Sequence, residues 1–234
     1  MATGARTGTT IRIPTAPRGT RMTTGIDPHL ILHQLFSPAF PVGAFAWSHG
    51  LEAAIADGDV TGAASLQGWL TAVLTHGAGW SDAVLLSLAA RGASLAELDD
   101  LARAMTPSAA RRRETAEQGA AFAATANAVW GLDLPELCYP VAVGGAVRAL
   151  DLPHEHAVRL LLQSFLANLT SAGVRLIPLG QTDGQKITAA LGPLCVARAA
   201  EAALADLDDI GTFSPLIDIH SQRQEALQPR IFRS

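Results

Sequence analysis

Residues 36–52 read FSPAFPVGAFAWSHGLE and determine where the first helix of the chain must end. The two prolines lack backbone donors and push the preceding residues out of the α region, so a helix that arrives from Leu30 stops near Ser37. A second helix is predicted over residues 45–56. Because a glycine inside a helix costs up to about 1 kcal/mol relative to alanine, another backbone or a partner is expected to come close at Gly50.

The composition is apolar: 49% of the 234 residues are hydrophobic, 16% are charged, and the mean hydropathy is +0.24. Some apolar surface is therefore expected to meet a partner. Polar residues and glycines interrupt the apolar segments before they reach the length of a membrane span, so no transmembrane helix and no membrane partner are predicted. The net charge of -4 and the pI near 5.9 argue against nucleic-acid binding, which requires a basic excess.

The two cysteines, Cys138 and Cys195, lie in apolar segments and do not form a Cys-x-x-Cys motif. The N-terminus does not show the pattern of a secretory signal. We therefore predict reduced, buried thiols and a cytoplasmic location.

One folded domain is predicted at residues 27–211, since no break in composition divides it. Residues 1–26 contain Arg, Thr, Gly and Pro without apolar periodicity and are predicted to be a flexible extension, with a transit peptide as the alternative. Residues 212–234, where the helical pattern ends, are predicted to be a flexible, partner-binding C-terminal tail. Residues 222–234 are predicted to be mobile in the free protein, because Pro229 forbids a continuous helix.

Within the domain, apolar residues recur at helical spacing, and no alternating stretch of β-branched residues occurs. Capping residues locate several helices, including one opened by Asp27, one by Ser94 and a long one from Ser108 to Trp130. We predict an all-α fold, a single-domain orthogonal bundle of about eight helices with flexible N- and C-terminal segments.

Candidate chemistry is sparse in this sequence. His154 and His156 point about 200° apart on a helix and cannot share one metal ion. The chain's seven histidines are scattered, so nickel binding by the isolated protein is predicted to be weak or absent. Residues 180–186, read as an inter-helix loop, lack the glycine spacing of a phosphate loop. A helical hydrolase or lyase that uses Asp183 and Lys186 near His49 is a rival reading, but no nucleophile and base stand at a recognisable spacing.

Four separated blocks nevertheless resemble the urease accessory protein UreF family. The first contains Ser37-Pro38, Pro41-x-Gly43-x-Phe45 and Ser48-x-Gly50-Leu51-Glu52. The others are Arg113-Glu114-Thr115-x-x-Gln118-Gly119, Pro178-Leu179-Gly180-Gln181-x-x-Gly184-Gln185, and Arg230-Ile231-Phe232-Arg233-Ser234. The chain departs from the family pattern at Trp47, where the family usually has Tyr, at His49, where it has Gln, and at Gln224, where it has His.

The resemblance implies a cytosolic helical adaptor that joins UreD (also called UreH) and the GTPase UreG while nickel is loaded into apo-urease. Such a protein is not an enzyme, binds no cofactor tightly, acts in a nickel- and GTP-dependent complex, and is compatible with a homodimer. It also implies that the adaptor modulates GTP hydrolysis by UreG and that its C-terminal tail becomes ordered against UreD. An alternative is a GTPase activator that inserts an arginine finger, with Arg113 or Arg230 as the candidate.

From these blocks we predict partner-binding residues, and we predict no catalytic residue and no metal ligand. The predicted residues are Pro41, Gly43, Phe45, Trp47, Ser48, Gly50, Glu52, Arg113, Glu114, Gly180, Gln181, Asp183, Gln185, Lys186, Arg230, Ile231, Phe232, Arg233 and Ser234.

Overall fold

Side-chain caps set several helix boundaries in the computed structural model, which describes residues 27–233. Asp27 accepts a hydrogen bond from the His29 backbone, Ser94 from Glu97 and Ser108 from Arg111, as N-cap residues do. The described residues form α-helices joined by short connections, with no strand, and this confirms the all-α prediction. The helices are α1 Pro28–Leu35, α2 Leu51–Ala56, α3 Ala63–His76, α4 Ala78–Arg91, α5 Leu95–Ala104, α6 Ala109–Trp130, α7 Tyr139–Ala149, α8 His154–Leu176, α9 Gln181–Leu204 and α10 Pro215–Arg223.

Helix α7 lies at the centre of the bundle, where it packs against α4 and α6. Its residues 140–147 are all buried, as expected for a helix that is apolar on every face. Glycine makes the close approach possible: a Cβ at Gly144 would lie 2.5 Å from the Leu86 carbonyl oxygen of α4. A Cβ at Gly119 of α6 would lie 1.8 Å from the Leu137 carbonyl oxygen, just before α7.

Helices α8 and α9 pack against each other, and α9 also contacts α3 and α4. Within the described part of the chain, α9 is the one helix long and apolar enough to cross a membrane by length and composition alone. A core helix of a bundle passes the same test, and α9 buries Ile187, Leu191 and Cys195 against its neighbours.

The structure corrects the helix predicted over residues 45–56. A short 3₁₀ turn, Ala44–Ala46, is followed by extended backbone at Trp47, and α2 begins only at Leu51. Left-handed backbone separates the two pieces, with φ of 60° at His49 and 79° at Gly50. Gly50 therefore precedes a helix rather than interrupting one. The expected close approach is present, since a Cβ at Gly50 would lie 2.7 Å from the Ser221 backbone nitrogen of α10.

The C-terminal segment contains more regular structure than its sequence pattern indicated. Residues 215–223 form α10, a 3₁₀ turn follows at Gln224–Ala226, and Phe232 is only 2% exposed. The segment packs against the domain because its buried polar groups form hydrogen bonds with Glu52, which are described below. The prediction for residues 1–26 lies outside the described residues, as does Ser234.

Candidate partner-binding site

The Glu52 carboxylate at the start of α2 holds the C-terminal segment. Oε1 accepts a hydrogen bond from the Ile231 backbone at 2.6 Å, and Oε2 accepts one from the Phe232 backbone at 2.9 Å. The Gln224 side chain donates to Oε2 at 2.8 Å and accepts from the Ala53 backbone at 2.9 Å. Glu52 is buried, so these donors replace the water that a carboxylate otherwise requires.

Two arginines, Arg233 and Arg175, make contacts where the C-terminal segment packs against residues 44–47. We call this region the junction. The Arg233 backbone donates to the Ala46 carbonyl at 2.8 Å, and its guanidinium lies 4.6 Å from the Trp47 ring centroid. Arg175, in the last turn of α8, lies 4.5 Å from the Phe232 ring centroid and donates to the Phe45 carbonyl at 3.3 Å. Cations over aromatic faces stabilise such contacts by about 0.5–1 kcal/mol at exposed positions.

Helix α6 joins the same junction. Its Glu117 carboxylate pairs with the Arg233 guanidinium at 2.8 Å. Arg113, one helical turn before Glu117, is exposed. The structure therefore brings together three of the predicted segments, residues 41–52, the first half of α6 and residues 230–233.

Two large apolar side chains remain exposed at this junction. Phe45 is 71% exposed and Ile231 is 73% exposed, while their sequence neighbours Trp47 and Phe232 are buried. We call Phe45, Ile231, Arg230 and Arg233 the junction surface. Exposed apolar groups rimmed by arginine are typical of protein-binding surfaces.

Behind the junction lies a buried group of charged side chains. The Arg111 guanidinium bonds the Asp82 carboxylate at 2.7 Å and lies 3.7 Å from Glu114, which is also 3.7 Å from the His49 Nδ1 atom. Burial raises the pKa of Asp82, although Arg111 opposes that shift. Burial also works against the charged guanidinium of Arg111, but Glu114 and Asp82 outweigh it and raise its pKa.

A cavity of about 510 Å³ opens between residues 35–45 and α8. Phe36, Phe40 and Phe165 supply apolar walls, and Asp82 and Arg111 form part of its polar lining. Its size is within the range of small-molecule and side-chain pockets. Within residues 27–233, no group of three or more His, Cys, Asp or Glu side chains could hold a metal ion.

The predicted site residues separate into exposed and inaccessible sets. The exposed set is Pro41, Phe45, Arg113, Gly180, Gln181, Gln185, Lys186, Arg230, Ile231 and Arg233. Gly43 and Asp183 are half-buried, and the buried set is Trp47, Ser48, Gly50, Glu52, Glu114 and Phe232. The buried residues hold the surface in shape and do not face a partner directly in this conformation.

Residues 180–186 are not the loop that the sequence predicted. Gly180 is the N-cap, and residues from Gln181 onward form the first two turns of α9. Asp183 and Lys186 pair on the helix surface at 3.0 Å. Asp183 also lies in the first helical turn, where a carboxylate is stabilised by the helix dipole.

Sequence reasoning missed four residues of the site: Asp82, Arg111, Arg175 and Gln224. Each of them contacts a residue that is distant in the chain. The spacing of residues along the sequence cannot show such contacts. The single available signal was Gln224, which departs from the family pattern and is fully buried beside Glu52.

The fold and the site define an all-helical accessory-type module with an exposed apolar and basic surface formed in part by its own C-terminal segment. The sequence model of the UreF family matches residues 60–192. A protein of Cereibacter sphaeroides named urease accessory protein UreF is 53% identical over 205 residues, covering 88% of this chain and 98% of the relative. Relatives of the same name from Paracoccus denitrificans and Ruegeria pomeroyi are 52% and 47% identical, covering 88% of this chain and 95% and 96% of their own lengths.

The chain therefore belongs to the UreF family of urease accessory proteins. It is an accessory protein rather than an enzyme, as the names of its relatives indicate.

Proposed function

We propose that this chain is the helical adaptor of a cytoplasmic complex that loads nickel into apo-urease. In that complex it joins UreD to the GTPase UreG and modulates GTP hydrolysis by UreG, and it neither binds a cofactor tightly nor contacts nucleic acid or membrane. Family membership supports the general role. The observation that supports the joining of partners is the junction surface. There the Arg233 backbone bonds the Ala46 carbonyl, and the exposed Phe45 and Ile231 lie one and two residues from that bond.

The chemistry of the junction surface suits a protein partner. Phe45 and Ile231 offer apolar side chains to a pocket, and a fully buried side chain of this size contributes about 1.5–3 kcal/mol. Arg230 and Arg233 are exposed and favour acidic groups on the partner, and Arg233 also pairs with Glu117 of this chain. We assign this face to UreD, because it contains the C-terminal residues that the family resemblance connects with UreD.

Co-purification tests the assignment. The wild-type chain and the variants Phe45→Glu and Ile231→Glu are each expressed with UreD and UreG, with and without GTP. Both substitutions place a charge on an exposed residue, so the free protein is expected to fold normally while UreD is lost from the complex. Leu204→Glu is the matched control, because Leu204 is 84% exposed at the end of α9. Retention of UreD by both junction variants would refute the assignment.

The arginine-finger alternative has one favourable observation: the Arg113 and Arg230 side chains are both exposed. GTP hydrolysis by purified UreG, measured with wild-type chain, Arg113→Ala and Arg230→Ala, separates the two functions. An arginine finger contributes about 10³–10⁵-fold to the hydrolysis rate, whereas an adaptor role predicts that any loss follows the loss of binding.

A further inference from the structure

Two histidines that are far apart in the sequence meet on the surface of the fold. The Nδ1 atoms of His29, in the first turn of α1, and His156, in the first turn of α8, are 3.1 Å apart. Their ring centroids are 4.9 Å apart and the ring planes are inclined by 50°. His29 is exposed and His156 is half-buried, so an ion from solvent can reach the pair.

The separation of these nitrogens is that of two ligands of one metal ion. Zinc–imidazole bonds are about 2.0–2.1 Å long, so two nitrogens bound at octahedral or tetrahedral angles lie about 2.9–3.4 Å apart. Without an ion, one ring must donate its Nδ1 proton to the other, because two facing lone pairs repel.

We propose that His29 and His156 form a two-ligand site for a divalent transition-metal ion that prefers imidazole, such as Ni²⁺ or Zn²⁺, with water at the remaining positions. The site is independent of the proposed adaptor function. The sequence gave no sign of this site, because His154 and His156 cannot bind one ion together. The second ligand of His156 is instead His29, which lies on another helix.

The surroundings favour the ligating form of the imidazole. Burial, His29 and Arg159 together lower the pKa of His156. Metal binding requires an unprotonated imidazole nitrogen. The Glu155 carboxylate is paired with Arg159 on the same helix, and the Asp27 carboxylate accepts from the His29 backbone, so both nearby acids have other partners.

Occupancy of the site would connect α1 to α8. Because an ion that binds only the folded chain stabilises it in proportion to its saturation, metal should raise the melting temperature. With two protein ligands the affinity is modest, in keeping with a chain predicted to bind nickel weakly.

Titration calorimetry and thermal melting of the untagged full chain with Ni²⁺, and separately with Zn²⁺, test the site. The variants are His29→Ala and His156→Ala. The control is His76→Ala, which removes an exposed histidine from the last turn of α3. Circular dichroism confirms that each variant folds.

We expect about one ion per chain, binding at least about tenfold weaker in each site variant, and a metal-dependent rise in melting temperature that only the wild type and the control show. Equal binding by His156→Ala and wild type would overturn the proposal. So would the absence of any binding at millimolar metal, which would leave the contact as a hydrogen bond between two rings.

Discussion

Glu52 shows at the scale of one residue how a buried charge can define a surface. Its carboxylate accepts hydrogen bonds from two backbone amides of the C-terminal segment and from Gln224. A buried carboxylate without such donors would be strongly destabilising, so the donors and the carboxylate depend on each other. The exposed Ile231 is therefore positioned by a residue that is itself buried.

Glu52→Gln should lower the free energy of unfolding by about 1.5–3 kcal/mol, because the neutral amide must turn one NH₂ group toward existing donors. Urea denaturation measures this loss, and faster amide exchange at Ile231 and Phe232 locates it. Glu117→Gln is the control, since the exposed pair of Glu117 with Arg233 contributes about 1 kcal/mol or less. Similar losses in both variants would show that the buried carboxylate has no special role.

Gly50 and Gly43 form a natural pair for separating backbone strain from close packing. Both have left-handed backbone, with φ of 79° and 71°. A Cβ at Gly50 meets the Ser221 backbone at 2.7 Å, whereas a Cβ at Gly43 meets nothing within 4 Å. The close approach that the sequence predicted at Gly50 is therefore confirmed, but the neighbour is the protein's own α10.

Gly43→Ala should lower the free energy of unfolding by about 1–2 kcal/mol from the left-handed backbone alone. Gly50→Ala should have the same backbone cost and should lower the free energy of unfolding by about 1–3 kcal/mol more, because its Cβ overpacks against α10. Chemical denaturation of the two variants gives the difference directly. Equal losses would mean that α10 moves away without energetic consequence.

At the scale of the helix, replacing glycine by alanine should change stability in opposite directions at two positions. Gly144 lies where α7 crosses α4, and a Cβ there would be 2.5 Å from the Ala89 Cβ atom. Gly68 lies on the exposed side of α3, where a Cβ meets nothing within 4 Å. A helix interior favours alanine over glycine by about 0.8–1 kcal/mol when nothing opposes it.

We therefore expect Gly68→Ala to raise the melting temperature and Gly144→Ala to lower it, the latter through about 1–3 kcal/mol of overpacking. Thermal unfolding followed by circular dichroism checks both signs. A rise for Gly144→Ala would contradict the close crossing of α4 and α7.

The C-terminal segment shows which elements the sequence could predict and which it could not. Long helices such as α6 and α8 follow from periodicity and caps, because those signals are local. Residues 224–233 carry no such signal, and their order depends on Glu52 and Gln224, which lie 172 positions apart in the chain. Local patterns predicted the helices, and the family resemblance supplied the candidate site residues, but no pattern showed which of those residues are buried.

Phe232→Ala should therefore destabilise the free protein, by about 3–5 kcal/mol if the C-terminal segment stays docked and by less if it detaches. Ile231→Ala should leave the free energy of unfolding within about 0.5 kcal/mol, because that side chain is exposed. Melting temperatures of the two variants make the comparison. An unchanged melting temperature for Phe232→Ala would restore the original expectation of a mobile tail.

At the scale of the whole molecule, the buried thiols report whether the bundle unfolds as one unit. Cys138 precedes α7 and Cys195 lies in α9, and α4 packs against both helices. Burial raises the pKa of the Cys138 thiol to about 12 and that of Cys195 to about 11. Only the thiolate attacks a disulfide reagent, so neither cysteine reacts appreciably while it remains buried.

The raised thiol pKa values also give stability a pH dependence whose sign can be derived. An unfolded cysteine loses its proton near pH 8.5, while the folded chain keeps both protons to about pH 11. Within that window the unfolded state binds fewer protons, so the free energy of unfolding falls as pH rises.

At pH 8, we expect labelling by a disulfide reagent to proceed at one rate for both thiols, with the urea dependence of global unfolding. In Cys138→Ala, Cys195 is the one thiol left to label. Its labelling rate should equal the wild-type rate once the change in the free energy of unfolding is taken into account. Faster labelling of Cys195 alone would instead show that α9 opens separately from the α4 and α7 core.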